Sequence, residues 1–120
     1  MHDRGWWIDL CRAIDAKDTR GFVARLAPDC EFRFANGPCA VGHAAIGAAV
    51  DAFWASIRGS EHDVLRTWGD DDSAVCEGTC VYTRLDGSTV TIPFVDVLYF
   101  RSGLAVKYFI YMDVAPLWQP

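Results

Sequence analysis

The sequence predicts an α+β fold in which three N-terminal helices cover one face of a curved, mainly antiparallel β-sheet. Apolar residues recur with a period close to four up to Gly59 and with a period of two after it, which indicates helices followed by strands. The 120 residues are 52% hydrophobic and 22% charged, so a single domain spanning residues 1–120 has enough apolar surface for one core.

The first helix is expected from about residue 5 to 17, because its apolar side chains fall at the i, i+3, i+4 and i+7 positions of one stripe. These side chains are Trp7, Leu10, Cys11 and Ile14. Asp18 or Thr19 is expected to cap a short second helix, which Pro28 stops. The apolar side chains of the second helix are Phe22, Val23 and Leu26.

The third helix is expected from residue 42 to about 58, where apolar residues again have helical spacing, and Gly59 is its expected C-cap. Before this helix, the alternation of residues 30–34 predicts a first strand. The sequence Asn36-Gly37-Pro38 ends that strand.

Four longer strands are predicted in the second half of the chain, with hairpin turn chemistry at each joint. The strands span about 62–69, 74–84, 89–100 and 105–113. The joints are residues 70–73, 85–88 and 101–103. Consecutive strands joined by short turns form an antiparallel meander.

Charge and composition argue against several classes of partner. Eleven Lys and Arg against sixteen Asp and Glu give a net charge of −5, and no basic run is present to neutralise nucleic acid or an anionic membrane surface. Asp9, Arg12 and Asp15 interrupt the first apolar stretch, so neither a signal-peptide core nor a membrane span is expected and the protein is expected to be cytoplasmic. The five cysteines lack framework spacing and are expected to be reduced thiols.

Four short patterns run along nearly the whole chain. They are Ile14-Asp15-Ala16-Lys17-Asp18 with Phe22 and Leu26, Val41-Gly42-His43-Ala44-Ala45-Ile46, Tyr82-Thr83-Arg84-Leu85-Asp86-Gly87 with Ile92-Pro93, and Tyr108-Phe109-Ile110-Tyr111-Met112-Asp113. Together with the order of elements, they resemble the SnoaL-like branch of the nuclear transport factor two-like superfamily, which also contains ketosteroid isomerases and limonene epoxide hydrolases. The resemblance implies a cone-shaped fold with a mixed sheet, a deep pocket between helices and sheet, and homodimers formed through the outer face of the sheet.

The resemblance transfers catalytic residues only in part. The catalytic Tyr and the proton-shuttling Asp of the steroid isomerases correspond to Leu10 and Phe34, whereas a third residue of that site, an Asp, corresponds to Asp96. The Arg, Asp and Asp of the epoxide hydrolases fall on Glu77, Thr79 and Ile110. The acid/base Asp of SnoaL-type cyclases has Asp96 as its nearest candidate. The resemblance therefore implies a cofactor-free isomerase, cyclase or dehydratase and argues against epoxide hydrolysis.

Asp96 stands in residues 92–100, the most apolar stretch of the predicted sheet. A period of two places it on one face with Ile92, Phe94 and Leu98. A carboxylate there is either hydrogen-bonded or has its pKa raised by desolvation, and we expect the raised pKa that suits a general acid/base. The alternative is a structural Asp that a neighbouring strand or a dimer partner satisfies.

Glu77 is the second catalytic candidate. Alternation places it on the strand face that also carries Val75, Thr79 and Val81. If that face is concave, Glu77 and Asp96 form a carboxylate pair in one cavity, and like charges split their pKa values. The alternative is a cross-strand ion pair between Glu77 and Arg66.

No metal or cofactor site is expected. Cys76 and Cys80 lie too far apart along one strand for both sulfurs to reach one zinc ion, and Asp70-Asp71-Asp72 is expected to be a solvated turn. The sequence contains no glycine-rich phosphate loop. His43 is expected to be a neutral capping or packing residue at a helix start, and Cys39 is expected to be exposed.

The expected ligand is a small hydrophobic molecule, planar or polycyclic, because aromatic residues come from every element that would line the pocket. The ligand-binding candidates are Trp7, Phe34, Phe53, Trp54, His62, Trp68, Phe94, Tyr108, Ile110 and Met112. His62 shares its predicted strand face with Val64, Arg66 and Trp68, and both a pocket position and a rim position are open to it.

Two functions fit these observations. The first is a cofactor-free enzyme that transfers a proton on a small hydrophobic carbonyl compound, with Asp96 as acid/base and Glu77 as its partner. The second is a non-catalytic small-molecule binding or dimeric interaction module of the same fold. A homodimer through the sheet is expected in both cases, because an apolar outer face would otherwise be exposed. The side chains expected on that face are Tyr82, Val95, Val97 and Tyr99.

Overall fold

The computed structural model describes residues 2–119 of the chain. Its helices are α1 (Arg4–Asp15), α2 (Thr19–Val23) and α3 (His43–Ala55), and a short 3₁₀ turn follows at Ala115–Trp118. Its strands are β1 (Leu26–Phe34), β2 (Ala40–Val41), β3 (Gly59–Gly69), β4 (Ser73–Thr83), β5 (Thr89–Arg101) and β6 (Leu104–Tyr111). The predicted α+β class is confirmed.

The six strands of this part of the chain form one mixed sheet in the order β2-β1-β6-β5-β4-β3. Neighbouring strands are antiparallel except β1 and β6, which run parallel. The meander predicted for the last four strands is therefore confirmed. β2 was not predicted, because a pair of residues is too short to show alternation.

Asp18 is the N-cap residue that begins α2. Asp18 accepts the backbone N–H of Gly21 at 3.0 Å, which is the N-cap that the sequence predicts. The helix ends at Val23, and Leu26 begins β1 instead of continuing the helix. Leu26 pairs with Ala105 of β6, and this distant partner overrides the local helical spacing.

α3 ends three residues earlier than predicted. Its C-cap is Ser56 in the right-handed conformation, so the prediction of Gly59 as C-cap is wrong. Arg58 donates its backbone N–H to the carbonyl oxygen of Thr83 at 2.9 Å, and Gly59 already pairs with Thr83. Pairing with β4 therefore takes these residues out of the helix.

The helices cover one face of the sheet, which we call the inner face; the opposite face is the outer face. Burial alternates along β4 and β5. The inner side chains in the middle of β5 are at most 5% exposed, and they are Ile92, Phe94, Asp96 and Leu98. The apolar ones belong to one core with helical side chains, among them Trp7, Leu10, Phe22 and Ile46. The face predicted for Asp96 is thus a buried face.

The pairing of β3 with β4 slips by one residue at Leu65. A bulge of one residue moves the side chains that follow to the other face of the sheet. His62 precedes the slip and lies on the inner face, whereas Arg66 and Trp68 follow it and lie on the outer face. Trp68 is 49% exposed there, which corrects the prediction that it shares a face with His62.

Two further observations concern membrane and thiol chemistry. No helix within residues 2–119 is long and apolar enough to cross a membrane. The five cysteines are free thiols, and Cys39 is the exposed one, as predicted.

Candidate functional site

A cavity of about 220 Å³ lies between the inner face of the sheet and the helices. Aromatic rings form much of its wall, and they are Phe22, Phe32, Phe34, Phe53, Trp54 and Phe94. Polar groups reach it from Ser60, His62, Tyr82, Asp96 and Tyr108. An apolar wall with a few convergent polar groups is the usual composition of a site for a small organic molecule.

Asp96 reaches the cavity from the middle of β5. It stands opposite Cys76 of β4 and Ile110 of β6 on the inner face. Asp96 is 5% exposed, and its Oδ1 has no hydrogen-bond partner among residues 2–119. Desolvation by burial raises the pKa of Asp96 to about 8, against a smaller, opposing effect of the Tyr108 hydroxyl. At neutral pH the carboxyl group is therefore mainly protonated and acts as a hydrogen-bond donor.

Tyr108 brings a hydroxyl group beside this carboxyl group. It stands opposite Leu98 on β6, so Tyr108 and Asp96 are diagonal neighbours on the inner face. Tyr108 is fully buried and its Oη has no partner in the described part of the chain. Burial, with the nearby Asp96 carboxyl group as a further cause, raises the pKa of Tyr108 well above its ordinary value, so the hydroxyl also remains a donor. Buried donors without partners are costly, and an acceptor atom inside the cavity would satisfy both.

A carboxylate at the end of α1 lies behind the cavity wall and holds one of its side chains. Asp15 accepts the Ser60 hydroxyl at 2.8 Å and the backbone N–H of His62 at 2.9 Å. Its Oδ1 lies 2.5 Å from Nδ1 of His62. Burial alone would raise the pKa of Asp15, but the hydrogen bonds from His62 and Ser60, and the attraction of the His62 ring whenever it is protonated, hold that pKa below its ordinary value. Asp15 is therefore an ionised carboxylate that fixes the orientation of a ring in the cavity wall.

The model of one protein family, described as SnoaL-like domain, matches residues 7–108. This match spans most of the chain. The chain belongs to the SnoaL-like domain family. The family resemblance that the sequence suggests is thus confirmed.

Solved structures of similar proteins share the fold. An NTF2-like protein of unknown function from Burkholderia pseudomallei superposes with a TM-score of 0.84 at 24% identity, covering 92% of this chain and 90% of that chain. A putative polyketide cyclase from Xanthomonas campestris has a TM-score of 0.81 at 19% identity, covering 94% and 91%. TerC, co-crystallised with polyporic acid, has a TM-score of 0.81 at 22% identity, covering 92% and 91%. A comparison with curated proteins gives no match.

Most of the sequence-predicted candidates lie along the cavity of this SnoaL-like fold. Besides Asp96, they are Phe34, Phe53, Trp54, His62, Phe94, Tyr108, Ile110 and Met112. Two candidates lie elsewhere. Trp7 is fully buried in the core and does not form part of the cavity wall, and Trp68 lies on the outer face because of the bulge at Leu65.

Glu77 is not brought together with Asp96. It is exposed on the outer face, where it stands opposite Arg66 of β3. The predicted carboxylate pair is therefore corrected, and the register favours the alternative in which Glu77 neighbours Arg66. The alternation of β4 is as predicted, but alternation alone does not say which of two faces is the inner one.

The same reversal moves Tyr82 to the opposite face from the one predicted. The sequence predicts Tyr82 on the outer face, but its side chain is 3% exposed and lines the cavity. Its hydroxyl donates to Sδ of Met112 at 3.7 Å. The pairing of Cys76 with Asp96 fixes this choice, because paired residues share a face of the sheet.

Asp15 and Ser60 belong to the site although the sequence alone does not predict them there. They are 45 positions apart, and only the packing of α1 on β3 brings them together. One feature of the sequence could have pointed to Asp15. It directly follows Ile14, the last residue of the apolar stripe of the first helix, and Ile14 lines the cavity.

The remaining polar candidates have structural environments. Asp70 accepts the backbone N–H groups of Asp72 and Ser73 at 2.9 Å each, which makes residues 70–73 an exposed turn, as predicted. Nε2 of His43 lies 2.8 Å from the carbonyl oxygen of Leu26 and links α3 to β1. In the described ranges no group of His, Cys, Asp and Glu is arranged to hold a metal ion.

Proposed function

We propose that this SnoaL-like protein binds a small hydrophobic carbonyl compound in the cavity and catalyses a proton transfer on it, as an isomerase, cyclase or dehydratase. The observation that carries the proposal is a pair of buried polar groups, on Asp96 and Tyr108, that lack partners within residues 2–119 and face an apolar cavity. A carbonyl oxygen between them accepts from both. The same two donors stabilise the negative charge that develops on that oxygen when a neighbouring carbon loses a proton.

The walls and the volume support a ligand of one or two rings. Phe34 and Phe53 lie with ring centroids 4.7 Å apart on the cavity wall, and Phe94 forms part of the wall beside Asp96. The volume of about 220 Å³ is below the roughly 300–1,000 Å³ typical of sites for drug-sized ligands. A compact ketone or enone therefore fits the site better than a larger polycyclic molecule.

The comparisons agree with an organic ligand of this kind. Similar proteins include a putative polyketide cyclase, and TerC was co-crystallised with polyporic acid. The correspondence of Asp96 to an acid of the steroid isomerase site adds the expectation that the carboxyl group takes part in the chemistry as a proton donor.

The second candidate function is ligand binding without turnover. One observation favours it: Phe34, which lines the cavity, stands where the resemblance places the proton-shuttling Asp of the steroid isomerases. A site that lacks a base at that position still binds the same ligand, so catalysis requires a base from elsewhere.

A binding experiment tests the shared part of both functions. The probe is 2-naphthol, a two-ring phenol whose oxygen imitates an enolate, titrated at pH 7 by calorimetry. We expect saturable binding that weakens about tenfold in Tyr108→Phe and in Asp96→Leu, because each variant removes one donor to the oxygen. Asp71→Asn, in the exposed turn, is the matched control and should bind like the wild type. Absence of binding, or equal affinity in all four proteins, would refute the proposal.

A second experiment separates catalysis from binding. The protein is incubated with 2-tetralone, a two-ring ketone, in deuterium oxide, and exchange of the protons next to the carbonyl group is followed by NMR. Acceleration above the buffer rate supports an enzyme. Binding of 2-naphthol without accelerated exchange supports the binding module.

We also propose that the protein forms a homodimer through the outer face. Exposed apolar side chains on β3 to β6 support this, and they are Trp68, Val81, Tyr99 and Tyr111. Cationic side chains lie over two of these rings: Arg66 is 5.8 Å from the centroid of Trp68, and Lys107 is 5.9 Å from that of Tyr99. A second copy on this face would remove the patch from water.

A further inference from the structure

Proton transfer in this cavity needs a base, and neither predicted carboxylate supplies one. Burial raises the pKa of Asp96 to about 8, so its carboxyl group mainly keeps its proton at neutral pH. Glu77 lies on the outer face, away from the cavity. The base must therefore come from another group in the cavity wall.

We propose that His62 is the general base, that Asp15 is the positioning residue that orients its ring, and that the substrate is an enolisable ketone whose oxygen lies between Asp96 and Tyr108. This inference rests on the proposed function, because it needs a carbonyl compound in the cavity.

The hydrogen bonds of His62 assign different roles to its two ring nitrogens. Nδ1 lies 2.5 Å from Oδ1 of Asp15, whose other oxygen accepts the backbone N–H of His62 at 2.9 Å. An ionised carboxylate only accepts, so Nδ1 carries the proton. Every hydrogen bond of this ring within residues 2–119 is made at Nδ1. Nε2 has no partner in that part of the chain, and because the ring lines the cavity, we infer that Nε2 is the atom that meets a bound molecule. The ring packs edge-on against Phe94 at 5.4 Å.

The surroundings of His62 support the charge that a base acquires. The titratable and charged groups that contact the ring or line the same cavity or cleft are Asp15, Cys11, Arg4 and Arg12 on α1, Asp63 on β3, Cys80 and Tyr82 on β4, Asp96 on β5 and Tyr108 on β6. Burial raises the pKa of the Cys80 thiol to about 12, so that group is neutral although its sulfur lies 3.7 Å from Nδ1. Asp15 thus supplies the negative charge in contact with the ring, and it stabilises the imidazolium that forms.

The chemical step balances within the site. Nε2 of His62 takes a proton from the carbon next to the carbonyl group, and the electrons of that C–H bond form the C=C bond of an enolate. The electrons of the C=O π bond move to the oxygen, where Asp96 and Tyr108 donate hydrogen bonds. Return of the proton to the same carbon gives exchange. Return to the far carbon of a β,γ-unsaturated ketone gives the conjugated isomer, with no oxidant or reductant.

A polar cleft on the other side of the pair connects it with solvent. This cleft lies between α1 and β3, and Arg4, Arg12 and Asp63 form its walls together with Asp15 and His62. The side chain of Asp15 is 24% exposed and that of His62 is 11% exposed. The pair therefore separates an apolar cavity, where the proton is taken, from a polar surface.

The test uses 2-tetralone exchange for chemistry and 2-naphthol affinity for binding. We expect His62→Gln to slow exchange by about a hundredfold or more and Asp15→Asn to slow it by about tenfold or more. Both variants should keep 2-naphthol affinity within about threefold of the wild type, because the two oxygen donors are intact. His43→Gln is the matched control, since His43 contacts Leu26 and lies outside the cavity wall, and it should exchange at the wild-type rate.

Two readouts distinguish a base from a structural residue. The pH profile of wild-type exchange should contain a step that is absent in His62→Gln. Added imidazole should restore exchange to His62→Ala. If the variants do not fold, ¹⁵N NMR of the wild type still decides, because the proposal requires the proton on Nδ1 of neutral His62. A proton on Nε2 would overturn it.

Failure of this inference differs from failure of the proposed function. Exchange by His62→Gln at the wild-type rate would overturn the assignment of the base. Parallel loss of exchange and 2-naphthol binding in a folded His62→Gln protein would also overturn it, by making His62 a binding residue. If the wild type binds 2-naphthol but does not exchange the protons of 2-tetralone, the assignment of His62 as general base is refuted and the proposal of a ligand-binding cavity stands. A wild type that does not bind 2-naphthol would refute the proposed function itself.

Discussion

Replacing Asp96 with Asn should stabilise the fold at neutral pH, by an amount that grows as the pH rises. Asn has nearly the same shape as Asp and keeps a donor and an acceptor, but it does not ionise. In the folded protein burial raises the pKa of Asp96 to about 8. In the unfolded chain the pKa returns to about 3.9, the ordinary value of Asp.

The sign and size follow from these two values. Between them the folded state holds a proton that the unfolded state has released, so the free energy of unfolding falls as the pH rises. The slope for one group approaches about 1.4 kcal/mol per pH unit. The penalty from Asp96 is therefore small near pH 4, grows to several kcal/mol by about pH 8 and is constant above that. Asp96→Asn removes this penalty.

Urea unfolding of both proteins at pH 4.5, 5.5, 6.5 and 7.5 measures the effect. Other titrating groups are the same in both chains, so the difference in unfolding free energy isolates Asp96. Asp71→Asn, on an exposed turn, is the control for the loss of one carboxylate and should change the unfolding free energy little. A constant difference for Asp96→Asn, or a variant less stable than the wild type at pH 7.5, would refute the reasoning and make Asp96 an ionised, hydrogen-bonded anchor.

Three further predictions concern packing, thiols and assembly. Gly78→Ala should lower the unfolding free energy in urea by about 1–3 kcal/mol, because an added Cβ would overlap the backbone carbonyl oxygen of Asp63 and lie 2.8 Å from the ring of Phe94; an unchanged transition would contradict this packing. A thiol reagent without reductant should titrate Cys39 in the folded protein and all five cysteines after unfolding, whereas recovery of only three would reveal a disulfide. Light scattering at micromolar concentration should give twice the chain mass of 13.3 kDa for the wild type and the mass of one chain for Tyr99→Lys. A wild-type protein with the mass of one chain would refute the proposed homodimer.

The sequence predicts those parts of the fold in which a local pattern and a local cap agree. Asp18 opens α2 as expected because its carboxylate bonds to Gly21, three residues away. Leu26 and Gly59 do not follow their local spacing, because each pairs with a distant strand, at Ala105 and Thr83. Local patterns carry no information about such partners.

Local sequence patterns also limit which site residues can be predicted, because they do not reveal distant partners. Asp96 was identifiable because a carboxyl group in a long apolar strand must be either satisfied or functional. The orientations of Glu77 and Tyr82 were not, because the two faces of β4 alternate equally well. Trp68 was misplaced by one extra residue at Leu65. The contact between Asp15 and His62 spans 47 positions and depends on how α1 packs.

Two acidic side chains of this protein occupy positions that stability alone disfavours. Asp96 is buried in an apolar face, and Asp15 ends α1, where the negative end of the helix repels an anion. The fold resolves the two cases in opposite ways: burial keeps Asp96 protonated, whereas His62 keeps Asp15 ionised. The proposed proton transfer needs both protonation states. A protonated Asp96 donates a hydrogen bond to the oxygen of the substrate, and an ionised Asp15 stabilises the positive charge that His62 acquires as the base. Asp96 lines the cavity, and Asp15 bonds to His62, which lines it as well. The two unfavourable positions therefore serve one site, which argues for a functional origin of both.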